Sequence, residues 1–296
     1  MCQRALHLSL SGAGFLGIFH LGVGKALQRA GLLDAPCQIA GASAGALVGA
    51  VLTTETDLAN ARAALAALIE HTRAAPLGML TPGYSLIDQV RQQLELHMPG
   101  DAHQRASGRL HVALTSLRPG EVGSIYHKSL FASRDELIDA VSASSDIPGL
   151  TGRVRAAWPS RAATPDDASL LQRLTRRQDV DGGLFDLFPD PWEGAKRVAF
   201  VSPFAGTGFA MAPQRESGSV MVPAWSPLQG AKNGRTIELS RGNARRWRHA
   251  FFPPPAAMLA HYEAQGHDAC VEWMSSEDEG EGASRGRAPA GPRPRQ

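Results

Sequence analysis

The stretch QIAGASAGALVGAV, residues 38–51, decides the fold of this chain. Residues 38–41 predict a short buried strand, and the run from Ala44 to Thr53 predicts a small apolar helix. Between them, GASAG at 41–45 has the G-x-S-x-G form of a sharp strand-to-helix turn, in which Gly41 and Gly45 leave room for nearby backbone. The turn predicts that the Ser43 hydroxyl lies at the amino end of a helix, where the helix dipole favours negative charge. A merely tight glycine- and alanine-rich turn is the alternative interpretation.

A second glycine motif, SGAGFLG at residues 11–17, follows an alternating run that predicts a strand over Leu6–Leu10. Its G-x-G-x-x-G spacing is that of a dinucleotide-binding turn. That kind of site needs an acidic residue at the end of the second strand, and Asp34 lies before that strand. We therefore expect the loop to bring backbone N–H groups to a developing oxyanion beside Ser43. The expected donors are those of Gly12, Ala13 and Gly14.

A serine nucleophile needs a group that accepts its proton, and Asp181 is the leading candidate. It stands in DVDGG at residues 179–183, where a short apolar approach is followed by Gly182 and Gly183. A plain Asp-Gly-Gly surface turn is the alternative. A Ser–Asp–His triad also stays open, because three histidines lie downstream. They are His249, His261 and His267.

Strands and helices alternate through the first half of the chain, which favours an α/β fold with a mainly parallel sheet covered on both sides. Further helices are predicted over Phe15–Ala30, Leu58–His71, Leu86–His97 and Ser133–Ser142. Further strands are predicted over Leu110–Leu117, Ser124–Leu130 and Val198–Val201. Residues 158–178 have no clear period and predict an irregular insertion or surface excursion. Residues 275–296 have little to bury and predict a disordered tail after a domain of residues 1–274.

Composition limits the classes of function. The chain has 296 residues, a formal net charge of +2 and three widely spaced cysteines. The small charge argues against nucleic-acid binding, and the cysteines argue against a disulfide framework or a zinc site. We expect neither a metal nor a cofactor, and a reducing, cytoplasmic compartment. The sequence has no convincing signal peptide and no membrane-spanning run of about 20 apolar residues. If the protein contacts lipid, we expect it to do so from outside the membrane.

Four ordered motifs together resemble the patatin-like phospholipase family, in its adiponutrin and adipose triglyceride lipase branch. They are SGAGFLG at 11–17, GASAG at 41–45, AVSASSDIPG at 140–149 and DGG at 181–183. The resemblance runs from about Leu6 to Pro189. It implies a three-layer α/β/α fold related to the catalytic domain of cytosolic phospholipase A2. It also implies activity on lipid acyl esters, at the surface of a membrane or lipid droplet.

The resemblance further implies a Ser–Asp dyad with no catalytic histidine and no metal. Ser43 would be the nucleophile and Asp181 the base, and the Ala44 N–H would add to the oxyanion donors of the glycine loop. Phe15 and Leu16, beside that loop, are expected to line the substrate channel. If another glyceride replaces water as the acyl acceptor, the same site is a transacylase.

Two segments keep other interpretations open. Leu187 stands where the family usually has an asparagine before the proline, which is compatible with a weak or inactive lipid-associated scaffold. The segment RRWRHAFFP, residues 245–253, mixes basic and aromatic residues. That composition suits either a lipid surface or a helix end with solvated arginines and buried rings.

Overall fold

The computed structural model of the chain describes residues 6–33, 37–116, 124–147, 150–151, 179–184, 186–192, 197–217, 219–226 and 230–285. Its largest feature is a six-stranded sheet. The strands are β1 (His7–Leu10), β2 (Gln38–Gly41), β3 (Leu110–Ser116), β4 (Ile125–Lys128), β5 (Asp179–Asp181) and β6 (Val198–Val201). The predicted insertion at 158–178 lies outside the described residues, as does Asp34.

The order across the sheet is β4-β3-β2-β1-β6, and β5 pairs with β3. Strand β1 pairs in parallel with β2 and β6, and β2 pairs in parallel with β3. Strands β4 and β5 run antiparallel to β3. The sheet is therefore mainly parallel, as predicted. Leu10 at the end of β1 lies opposite Gly41 at the end of β2. The two glycine-flanked turns that follow these strands consequently meet at one edge of the sheet.

Helices cover both faces of the sheet, which confirms the three-layer α/β/α architecture. They are α1 (Gly17–Arg29), α2 (Ala44–Thr53), α3 (Leu58–Ala74), α4 (Leu86–His97), α5 (Ala102–Ala106), α6 (Arg134–Ala143), α7 (Arg241–Phe251) and α8 (Ala256–Arg285). The predicted helices of the first half are confirmed, with ends that differ by up to three residues. Side chains cap several of them, since Asp57, Ser85 and Ser133 each accept a hydrogen bond from a backbone N–H of the first turn.

A smaller antiparallel sheet follows the main one and was not predicted. Its strands are β7 (Gly206–Thr207), β8 (Val220–Ser226) and β9 (Gly230–Leu239), with β9 in the centre. Proline at 223 and glycines at 230 and 234 interrupt the alternating pattern of β8 and β9. Such residues are typical of turns, so local sequence alone argues against strands here.

The prediction of a disordered tail from residue 275 is wrong for residues 275–285, because α8 continues through them. Glu277 on this part of the helix pairs with Arg197, just before β6, at 2.9 Å. Earlier in α8, Tyr262 and Cys270 are buried in the main core. Residues 286–296 lie outside the described residues. Within the part of the chain that is described, no helix is both long enough and apolar enough to cross a membrane.

Candidate active site

Ser43 lies in the turn between β2 and α2 with φ 53° and ψ −124°. A non-glycine residue in this region is strained, by about 1–3 kcal/mol, and such strain is typical of functional sites. The flanking glycines are required by close packing. A Cβ on Gly41 would lie 2.5 Å from the Ala46 nitrogen, and one on Gly45 would lie 2.3 Å from the Leu10 oxygen. These distances agree with the steric interpretation of the G-x-S-x-G motif.

Strand pairing brings Asp181 to Ser43. On one side of β3, Gly41 of β2 lies opposite Val112. Asp181 of β5 lies opposite Leu114 on that strand. Strand β5 therefore lies beside β3 on the same side as β2, just beyond the residue at which β2 ends and the Ser43 turn begins. The Ser43 side chain lies beside the Asp181 carboxyl group, where its hydroxyl favours the charged form of the carboxylate.

Asp181 is almost completely buried, with 3% of its surface exposed. Burial raises its pKa from an ordinary value of 3.8 to about 7, even though the Gly183 N–H and the Ser43 hydroxyl favour the charged form. The nearby charge of Asp146 raises the pKa further. The Gly183 N–H lies 2.6 Å from Oδ1 of Asp181. A carboxyl group with this pKa is poised to exchange a proton near neutral pH.

The glycine loop after β1 lies against the same site. The N–H of Gly12 donates to the Leu187 carbonyl at 3.0 Å, so it is already engaged. Among the described residues, by contrast, no hydrogen bond uses the N–H of Ala13, Gly14 or Ala44. The backbone of Leu187 thus holds the loop, whichever side chain residue 187 carries. Of the expected oxyanion donors, Ala13, Gly14 and Ala44 are the ones whose N–H groups have no acceptor within the described chain.

His20, on α1, supports this loop from behind and was missed by the sequence analysis. Its Nε2–H donates to the Ser11 carbonyl at 2.9 Å, and its side chain is fully buried. Burial lowers the pKa of His20 to about 4, so the ring is neutral at physiological pH. An isolated histidine in a helix gives no sequence signal of this role, because the contact depends on how α1 folds back on β1.

Ser43, Asp181 and the glycine loop line one cavity of about 410 Å³. Phe15 lines this cavity, whereas Leu16 is fully buried in the core and does not. A large part of the wall comes from α2, α3 and α4, whose side chains, apart from Ala44, were not assigned to the site from the sequence. These residues include Leu47, Val51, Leu65, Leu68, Val90 and Leu94. Lining residues run along α4 from Leu86 to His97, a rise of about 17 Å. The cavity can therefore accept a long apolar chain.

The three histidines of the alternative triad do not line this cavity. His249 is buried, and its Nδ1 lies 2.8 Å from the Tyr262 hydroxyl. His267 pairs with its neighbour Asp268 at 3.3 Å, and the ring of His261 packs against that of Tyr262. The geometry favours a Ser–Asp pair over the triad. Among the described residues, no cluster of three or more histidine, cysteine or acidic side chains could hold a metal ion.

Ser144 is a further residue that the sequence analysis did not single out. Its hydroxyl accepts a hydrogen bond from the Ser43 N–H at 3.0 Å and donates one to the Ala113 carbonyl of β3 at 2.7 Å. The side chain is completely buried. Ser144 therefore links the strained turn at Ser43 to the central sheet through these two hydrogen bonds. It lies within the SASSDIPG part of the third motif, so its neighbourhood was identified but its role was not.

We expect Ser144→Ala to lower kcat about tenfold or more with little change in KM. The Ser43 turn would lose its link to the sheet, because the Ser43 N–H and the Ala113 carbonyl would lose their hydrogen-bond partner. Ester turnover kinetics measure this split. Ser142→Ala is a matched control, since Ser142 is equally buried but its hydroxyl has no partner among the described residues. A kcat for Ser144→Ala equal to that of Ser142→Ala would contradict a positioning role.

A strained serine turn, a glycine loop and a buried aspartate around one apolar cavity define the class of three-layer α/β proteins that carry a serine elbow. Residues 8–189 match the family described as "Patatin-like phospholipase". The chain belongs to this family.

Two relatives are similar to this chain over most of its length. It is 32% identical over 263 residues to "Patatin-like phospholipase domain-containing protein 2" of Mus musculus, covering 88% of this chain and 48% of that protein. It is 31% identical over 279 residues to "Patatin-like phospholipase domain-containing protein 4" of Homo sapiens, covering 93% of this chain and 99% of that protein. The chain thus spans about half the length of the mouse relative. Among solved structures, VipD from Legionella pneumophila matches 93% of this chain and 67% of its own, at 14% identity and a TM-score of 0.47.

Proposed function

We propose that this chain cleaves carboxylic esters of glycerolipids by transferring the acyl group to Ser43, with Asp181 as the base. The observation that carries the proposal is that a strained serine and a buried aspartate line the same apolar cavity, with the serine hydroxyl close enough to affect the aspartate's pKa. Family membership supports a lipid substrate, and the length of the apolar wall along α4 supports a long acyl chain.

The proposed mechanism uses only groups of the chain. The Ser43 oxygen attacks the ester carbonyl carbon while Asp181 accepts the hydroxyl proton. The N–H groups of Ala13, Gly14 and Ala44 donate to the oxyanion of the tetrahedral intermediate. The intermediate then collapses, and the alcohol leaves with the proton from Asp181. Water attacks the acyl-enzyme by the reverse sequence, and the fatty acid is released.

Transfer of the acyl group to a second glyceride is the other candidate, since it needs the same acyl-enzyme. Two Homo sapiens relatives support it by name. They are "1-acylglycerol-3-phosphate O-acyltransferase PNPLA3", at 29% identity, and "Omega-hydroxyceramide transacylase", at 27% identity. The buried, apolar surroundings of Ser43 and Asp181 suit either acceptor. Product analysis with and without added monoglyceride distinguishes the two.

A fluorophosphonate probe tests the proposal, because it reacts with a serine only when the serine is activated. We expect it to label Ser43 at a rate that rises with pH up to about 7 and is constant above it. Below its pKa of about 7, Asp181 is protonated and cannot accept the serine proton, so the rate should fall about tenfold per pH unit. Intact-protein mass spectrometry over pH 5–9 gives the profile.

Ser43→Ala is the control for the site of labelling, and the folded state of both proteins is checked by circular dichroism. If folded wild-type protein is not labelled at pH 8, the enzyme proposal fails and the inactive scaffold is favoured. A profile with no inflection between pH 5 and 8 would show that a group other than Asp181 accepts the proton.

We further propose that the protein works as a peripheral protein on a membrane or lipid-droplet surface, with no nucleic-acid partner. The apolar cavity supports this proposal, because a long-chain ester has to leave a lipid phase to reach Ser43.

A further inference from the structure

The solvent-facing side of α7 carries a stripe of arginines that ends in two phenylalanines. Arg241, Arg245 and Arg248 are exposed and follow one another at helical spacing. Phe251 and Phe252 continue the stripe at the end of the helix, with 41% and 60% of their surfaces exposed. These five residues are called the α7 stripe below.

The α7 stripe is continuous with the cavity that holds Ser43. Phe204, Trp247 and Phe251 all line that cavity. Trp247 stacks on Phe204 at 4.1 Å and on Phe251 at 6.0 Å between ring centroids. Since Phe204 is fully buried and Phe251 is exposed, this row of rings runs from the interior to the surface. The cavity therefore reaches solvent beside the aromatic end of the α7 stripe.

The positive charge of the stripe is not neutralised by the described part of the chain. Among the described residues, none of the three arginines forms an ion pair with an acidic side chain. His249 on the same helix adds no charge, because burial, followed by the positive charges of Arg248 and Arg245, lowers its pKa. The Glu216 carboxylate lies at the start of α7, where it accepts a hydrogen bond from the Gly242 N–H at 2.9 Å. Three cations therefore face solvent next to exposed aromatic rings.

We propose that the α7 stripe is a docking surface for a membrane that contains anionic phospholipid. The arginines would contact lipid phosphates, while Phe251 and Phe252 enter the interface and place the mouth of the cavity against the lipid. A nucleic acid or an acidic protein would use the arginines but would leave the two phenylalanines and the apolar mouth exposed to water. The proposal rests on the lipid substrate proposed above, but it requires no turnover.

The test is sedimentation of the full chain carrying Ser43→Ala with vesicles of phosphatidylcholine alone or of phosphatidylcholine and phosphatidylserine in a 7:3 ratio. We expect strong binding only to the anionic vesicles and weaker binding at high salt. Arg245→Gln with Arg248→Gln should lower the partition coefficient about 30-fold, and Phe252→Ser should lower it about tenfold. Thermal unfolding checks that each variant is folded.

Two matched controls separate the stripe from general charge and hydrophobicity. Arg29→Glu changes the net charge by the same amount as the double glutamine variant, but Arg29 is exposed at the far end of α1, about 18 Å along the helix from Gly17. Leu130→Ser removes a side chain that is 72% exposed and does not line the cavity. Both controls should bind as the parent does.

Equal binding to both kinds of vesicle, no binding to either, or an equal loss in the controls would overturn the proposal. So would binding of an oligouridine RNA that competes with the vesicles and is insensitive to Phe252→Ser, since that outcome indicates a general polyanion site. Labelling of Ser43 by the fluorophosphonate without vesicle binding refutes the docking surface alone. Vesicle binding without labelling refutes the proposed enzyme activity alone.

Discussion

Asp181→Asn is expected to lower ester turnover by about 10³-fold while making the protein more stable at pH 8. Activity falls because an amide cannot accept the Ser43 proton. Stability rises because the wild-type protein must keep a carboxylate charged in a site where 3% of its surface is exposed. The Gly183 N–H can still donate to the amide oxygen, so the local hydrogen bond at 2.6 Å has a replacement.

The sign of the stability change depends on pH. The pKa of Asp181 is raised from 3.8 to about 7, so between these values the folded wild-type protein binds more protons than the unfolded chain. Its stability therefore decreases as pH rises through this window and is lowest, for this group, above pH 7. Relative to wild type, Asp181→Asn should gain nothing near pH 4 and up to about 4 kcal/mol above pH 7. Urea unfolding at pH 5 and pH 8 measures the difference.

Asp179→Asn is the matched control, because Asp179 lies on the same strand but does not line the cavity. It should keep its activity and show no comparable gain in stability at pH 8. Full activity in Asp181→Asn, together with loss of activity on replacing His249, His261 or His267, would show that a histidine is the base.

The elements that place Ser43 and Asp181 could be predicted because their signals are local. Gly41 and Gly45 are needed because backbone atoms lie within 2.6 Å of the position that a Cβ would occupy at each of them. This requirement is visible in the sequence as the two glycines that flank Ser43. The cap at Ser133 is equally local, since its hydroxyl accepts a hydrogen bond from the Glu136 N–H three residues along. The parallel arrangement followed from alternating strands and helices, since parallel strands require crossover connections.

The parts of the site that were missed depend on distant contacts. Ser144 meets Ser43 across about a hundred positions of sequence, and nothing near Ser144 indicates that partner. The cavity wall on α4 looks in sequence like any buried helix face, because an apolar side chain facing a cavity has the same period as one facing the core. Helix α8 continues into the acidic residues after 275, where Glu277 pairs with Arg197, while Tyr262 and Cys270 bury its earlier turns in the core. Such distant contacts are not visible in local composition.

Gly14→Ala is expected to destabilise the protein far more than Gly12→Ala, although the two changes are chemically identical. Gly14 has φ +53°, and a Cβ there would lie 2.0 Å from the Ala250 carbonyl oxygen of α7. At Gly12 the nearest atom would be Cδ1 of Leu187 at 3.0 Å, the end of a side chain that can rotate. Alanine at 14 must therefore either displace α7 or distort the loop.

We expect a loss of about 4 kcal/mol in the free energy of unfolding for Gly14→Ala and of about 1 kcal/mol or less for Gly12→Ala, as measured by urea unfolding. Gly14→Ala should also lose fluorophosphonate labelling, because the same displacement moves an oxyanion donor and the aromatic row beside Ala250. If Gly14→Ala is insoluble while Gly12→Ala folds, the close approach of the loop to α7 is supported. Equal stabilities for the two variants would mean that α7 does not pack on the glycine loop in solution, and the α7 stripe would then no longer border the cavity.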